Sequence, residues 1–76
     1  MFNASEIREM LTAKEFKPFA IHTNDGARYE ITNHEMIIVT RDSLHIGLAT
    51  EPDGIAERIV RCALIHVTRI EDLQTV

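Results

Sequence analysis

Apolar residues recur at two different periods along this chain. Between Asn3 and Lys14, Ile7, Met10 and Leu11 fall three and four apart, which draws one narrow stripe on an amphipathic helix. Asn3 followed by Glu6 is a weak form of the capping box, in which side chains satisfy orphan backbone donors, and it predicts a helix over about residues 4–14. So short a helix is marginal in isolation and must dock its stripe on a core. Pro18 pushes Lys17 toward an extended conformation and closes the segment.

From Phe19 onward the period drops to two. Phe19 to Thr23 reads as a strand, Asn24-Asp25-Gly26 as a tight hairpin turn, and the stretch from 27 to 32 as its partner. In that second strand Tyr29 and Ile31 point inward while Arg28 and Glu30 point out. Met36-Ile37-Ile38-Val39-Thr40 is a continuous apolar, β-branched run, which predicts a strand covered on both faces. Further strands are predicted at about 44–48, 57–62 and 67–71. The loop 49–56 carries Pro52-Asp53-Gly54, and Ala63 to His66 breaks the alternation as a tight turn or 3₁₀ step. One helix followed by six short strands predicts a mainly β fold, a strongly bent antiparallel sheet that closes into a small barrel and so removes its edges. An open α+β sheet with the helix across one face is the alternative.

Phe16-Lys17-Pro18-Phe19, Asp25-Gly26, His34-Glu35 and the run Ala63 to Ile70 resemble a group of short uncharacterised bacterial proteins. The order of elements, with the hairpin Phe19 to Glu30 and the closing stretch Ile59 to Val67, resembles the Sm-like fold of bacterial Hfq proteins. This resemblance implies a helix on an Sm-like or SH3-like barrel and, by extension, RNA binding. Where that family carries a Lys-His pair before its last strand, this chain has Arg61-Cys62, so only Arg61 transfers. A segment of roughly Ser43 to Glu57 is additional to the Hfq layout.

Seventy-six residues, 45% hydrophobic and 26% charged, make a single globular domain over 1–76. No apolar run approaches a membrane span, no signal peptide is evident, and the one cysteine, Cys62, excludes an internal disulfide. A cytoplasmic location is the expectation. The net charge of −4 is spread along the chain without a block of one sign. Nucleic-acid affinity rests on cationic neutralisation of phosphates, so this acidity disfavours RNA as a partner. Arg58, Arg61 and Arg69 nevertheless cluster in the last third and are the candidate partner or RNA contacts, beside the alternative that they are solvated residues paired with Glu57, Glu71 and Asp72.

The four histidines lack the close paired spacing of a zinc site, and no metal or cofactor is expected. Asn33 and His34 sit where two strands meet and form a candidate polar corner, as backbone-bonding residues or as a binding site. His66 with Arg69 is a candidate for an anion or for a carboxylate from a neighbouring subunit. No serine, cysteine or threonine stands in a recognisable nucleophile pattern, the glycines are too scattered for a phosphate loop, and no catalytic residue is assigned. Met36 to Val39 and Ile59-Val60 supply apolar groups to both faces of their strands, more than one barrel interior can bury. The helix can cover one patch and a second subunit another. The favoured reading is therefore a non-enzymatic interaction module that homo-oligomerises and meets an unknown protein partner. An Sm-like RNA binder is the rival, and a small ligand- or metal-binding subunit using His34 and His66 is the third class.

Overall fold

The computed structural model describes residues 2–73. The helix α1 spans Ala4–Thr12, and the Asn3 side chain caps it by accepting the Glu6 amide at 2.9 Å. Ile7 is fully buried, with Met10 and Leu11 partly so, as the apolar stripe requires. The helix stops two residues short of the predicted Lys14. The positions three and four beyond Leu11 that would continue the stripe are Lys14 and Glu15, and the Thr12 hydroxyl donates to the Arg8 carbonyl at 2.9 Å while Ala13 is already extended.

Six strands follow: β1 (Phe19–Thr23), β2 (Arg28–Ile31), β3 (Ile37–Val39), β4 (Ser43–Leu48), β5 (Arg58–Ala63) and β6 (Val67–Asp72). β1 matches its predicted span, β2 and β3 are shorter at both ends, β4 and β6 each gain one residue, and β5 lies one residue further on. The third predicted strand shrinks most. Met36 belongs instead to a 3₁₀ turn, His34–Met36, and Thr40 bonds through its hydroxyl into the β3–β4 turn. A second 3₁₀ turn, Leu64–His66, occupies the place where the alternation fails. Between β1 and β2, Gly26 adopts a φ of 88°, a left-handed conformation that costs a side-chain-bearing residue about 1–2 kcal/mol.

The strands do not close into the predicted barrel. Among the described residues they form two antiparallel three-stranded sheets, a first with order β2-β1-β6 and a second with order β3-β4-β5. No ladder joins β2 to β3, because the 3₁₀ turn His34–Met36 takes up the chain between them. At the other junction β5 passes through Leu64–His66 into β6, and that corner is tied to both sheets. The Leu64 amide donates to the Asp42 carbonyl at 2.8 Å and the Asn24 amide to the His66 carbonyl at 2.9 Å.

The core lies between the sheets. Phe19, Ile21 and Ile31 come from the first sheet, Ile37, Leu44 and Ile46 from the second, and Ile7 from the helix. β3 departs from its predicted burial on both faces: Ile37 is buried, but Ile38 is 66% exposed. With α1 directed into the core through Ile7, the opposite face of the second sheet keeps its apolar residues in contact with solvent.

Candidate functional site

The register of the second sheet decides which residues share its outer face. Ile37, Ile46 and Val60 align on the inner side, as do Leu44 and Cys62. The next positions therefore face out: Ile38 opposite His45, His45 opposite Arg61, Gly47 opposite Ile59, and Ser43 opposite Ala63. Ile38 and Ile59 are 66% and 71% exposed. Four isoleucines of this small chain stand largely in water, the other two being Ile55 and Ile65.

A groove of about 510 Å³ runs over this face. Ile38, Gly47 and Ile59 supply its apolar floor, Met36 and Ala56 its sides, and His45, Asn33 and Glu35 its polar groups. Its form depends on Gly47. A Cβ there would sit 3.2 Å from the Cβ of Ala56 and 3.5 Å from the Met36 carbonyl, so the bare glycine lets the loop 49–57 lie back on the strand. The Glu57 amide fastens the end of that loop to the Leu48 carbonyl at 2.8 Å, and Thr50 donates to the Glu57 carboxylate. The groove thus depends on the loop 49–57 lying over Gly47 beside the face of the second sheet.

Beyond the groove the face turns polar. Ser43 Oγ lies 3.1 Å from His45 Nε2 and 2.6 Å from the Thr40 hydroxyl, which also reaches the Asp42 carboxylate at 3.3 Å. This chain of bonds steadies the β3–β4 turn. A shallow depression of about 450 Å³ follows, lined by Asp42, Ser43, Arg61, Ala63 and His66. Arg61 and His66, two of the predicted contacts, are brought together here. Arg61 forms no ion pair among the described residues.

The other predicted contacts lie elsewhere. Arg58 stands opposite Leu48 at the end of β5, on the parity of the inner face, so it does not join Arg61. Arg69 belongs to the first sheet, opposite His22. Its guanidinium nitrogen is 3.3 Å from both ring nitrogens of His22, which places it over the ring. His22 Nε2 bonds Glu71 at 2.9 Å, and Arg28 reaches both Glu30 and Glu71. The His22 hydrogen bond, aided by the Arg28 and Arg69 charges, holds the Glu71 carboxyl below the usual glutamate range. Arg69 is thereby engaged within its own sheet by His22, while His66 lines a depression with Arg61.

Asn33 accepts the Glu35 amide at 2.8 Å and caps the 3₁₀ turn, while the exposed His34 ring packs edge-on to Phe16 with centroids 6.1 Å apart. The predicted corner pair thus has structural partners, and Asn33 also reaches the groove rim. Cys62 lies half-buried on the inner face, where burial and the Asp25 charge push its thiol up. In the β1–β2 turn the Thr23 hydroxyl and the Ala27 amide lower the Asp25 carboxyl. Among the described residues no group of three histidine, cysteine or acidic side chains is placed to hold a metal ion.

Sequence reasoning did not assemble the groove. Its signals were Gly47 inside a strand and the outward parity of Ile38 and Ile59, but the loop's return over the strand had no local signature. Comparison with protein-family models, curated proteins and solved structures yields no match.

Proposed function

We propose that this chain is a non-enzymatic interaction module that homo-oligomerises through the outer face of its second sheet. The observation that carries the reading is the pair Ile38 and Ile59, 66% and 71% exposed, which line one groove from either side of β4. Contiguous exposed apolar surface on a small domain marks an interface more often than a free surface. The polar groups beside it, Arg61, His66 and Ser43, supply the directional contacts that set register at such an interface.

The two sheets are read as halves of an Sm-like or SH3-like barrel left open between β2 and β3. What supports this is the tied corner at Leu64–His66, which carries β5 of one sheet directly into β6 of the other. A cytoplasmic location accords with the single cysteine. No helix among the described residues is long and apolar enough to cross a membrane.

The second reading is an Sm-like RNA binder, favoured by Arg61, which has no ion pair among the described residues, beside Ser43 and His66. Against it stand the net charge of −4, the absence of tryptophan and a single tyrosine, since single strands bind through cationic grooves and stacking aromatics. Light scattering at low and moderate salt, with and without a mixed RNA pool, separates the two. An oligomer indifferent to RNA supports the interaction module. A mass that rises with RNA at low salt and falls back as salt is added supports the rival, and a monomer under every condition refutes self-association.

A further inference from the structure

β5 is an open edge of the second sheet, and part of its backbone has nothing to bond. The Leu64 amide donates to the Asp42 carbonyl at 2.8 Å, in phase with the register that sets Cys62 opposite Leu44 and Val60 opposite Ile46. Antiparallel strands bond at alternate residues, so Arg58, Val60 and Cys62 turn their amides and carbonyls toward β4. Those of Ile59 and Arg61 turn away from the sheet, and no backbone group among the described residues meets them.

The other edges are shorter or interrupted. β3 has three residues and lies against α1, and β2 has four and carries the Arg28–Glu30 pair. β6 has six, but its register with β1 slips between His22 and Thr23. β5 keeps one register with β4 over all six of its residues and contains no proline. A long, regular edge of this kind is a template for another strand. The core is also thin here. Val60 and Cys62 are only half-buried on the inner face, whereas Ile46 and Leu44, directly opposite them on β4, are fully buried. A further strand beyond β5 would cover both.

A second copy of β5 meets these requirements, and the free backbone groups fix how. Two antiparallel copies related by a two-fold axis can be centred on Ile59, Val60 or Arg61. Centring on Arg61 sets two guanidinium side chains directly opposite each other, which is destabilising. Centring on Ile59 sets Arg61 opposite the partner's Glu57, whose amide is already committed to the Leu48 carbonyl. Centring on Val60 sets Ile59 opposite the partner's Arg61, so the free amides and carbonyls of both residues gain partners. On the inner face Val60 then meets the partner's Val60, and Arg58 stands opposite the partner's Cys62. On the outer face the aliphatic stem of Arg61 lies beside the partner's Ile59, which is 71% exposed in the single chain.

We infer that two copies of the chain join edge to edge through β5, centred on Val60, into one continuous antiparallel sheet. This rests on the reading that the chain self-associates, and it adds to the outer face of the second sheet the edge that adjoins it. The contact is isologous, the same strand on both copies, so it closes as a two-fold dimer.

Arg61→Pro tests the edge directly. It removes an outward amide and leaves the ladder to β4 untouched, whereas Arg61→Gln removes the same charge and keeps the amide. In sedimentation velocity Arg61→Pro should raise the dissociation constant by at least about tenfold, and Arg61→Gln should leave it near the wild-type value. Circular dichroism confirms that the proline variant folds. Disulfide formation supplies a measurement that leaves the edge amides in place. In a Cys62→Ser background, Val60→Cys puts a thiol at the two-fold axis, in a pair that is not hydrogen-bonded and whose side chains lie closest. Mild oxidation should convert it to a covalent dimer much faster than Arg58→Cys in the same background. A dimer indifferent to Arg61→Pro, or equal crosslinking at the two positions, overturns the edge contact while leaving self-association through the outer face standing. A wild type that is monomeric throughout overturns the underlying reading as well.

Discussion

Truncating two isoleucines on opposite faces of the second sheet measures the register on which its functional face depends. Ile46 on β4 is fully buried and lies between Ile37 and Val60 on the inner side, whereas Ile59 on β5 is 71% exposed on the outer side. Ile46→Ala removes three carbon groups from the core at about 0.8 kcal/mol each, and the cavity left behind raises the cost to about 3–4 kcal/mol. Ile59→Ala forfeits only the buried remainder of its side chain, about 0.7 kcal/mol. A domain of this size has roughly 4–11 kcal/mol of stability in total, so the Ile46 variant loses a large share of it and melts roughly 12–32 °C lower. The Ile59 variant should melt within about 6 °C of the wild type. Urea and thermal unfolding followed by far-ultraviolet circular dichroism, at two protein concentrations, give both values and show whether association contributes. Ile46→Val, costing about 1 kcal/mol against almost nothing for Ile59→Val, supplies a second comparison if the alanine variant unfolds. Equal losses at the two sites, or the reverse order, would mean that β4 and β5 pair one residue out of step. Every outward residue of the proposed interface would then be an inward one.

Two further expectations follow from the titrating groups. Glu71 titrates below the usual glutamate range, chiefly through its hydrogen bond to His22, so the stability it contributes is present above that range and is lost as pH falls through its lowered value. The melting temperature of His22→Ala should consequently fall less steeply than the wild type's between about pH 6 and about pH 3, and identical slopes would refute the coupling. Cys62 is the opposite case, a thiol pushed up by burial and by the Asp25 charge. Native protein at neutral pH should therefore react with iodoacetamide well below the rate of urea-unfolded protein, and equal rates would count against its burial.

The local elements were largely legible in the chain. The Asn3 cap, the Ile7 stripe, the Asn24-Asp25-Gly26 turn and the alternation of β2 are written within a few consecutive residues, since helix and strand each repeat on a scale of two to four positions. The break at Ala63 to His66 was legible in the same way, and it became the 3₁₀ turn that carries the chain from one sheet to the other. β1 takes its second partner, β6, from the far end of the chain, and no periodicity specifies that or whether β2 bonds to β3. The predicted barrel therefore gave way to two sheets. The same limit applied to the candidate contacts. Arg58, Arg61 and Arg69 look like one basic group in sequence, yet strand parity parts the first from the second and the corner at Leu64–His66 puts the third on the other sheet.

What the sequence by itself determined is the inventory: one short helix, six strands, and a surplus of apolar side chains over what a small core can hold. Only the tertiary structure decided where that surplus lies, because exposure is a property of what packs against a residue rather than of the residue. Helix α1 directs Ile7 into the core, which leaves the outer face of the second sheet uncovered, and bare Gly47 lets the loop 49–57 fold back and make that face a groove. The corner that joins the sheets holds Ile65 out into solvent for the same reason, since its turn packs only Leu64 into the core.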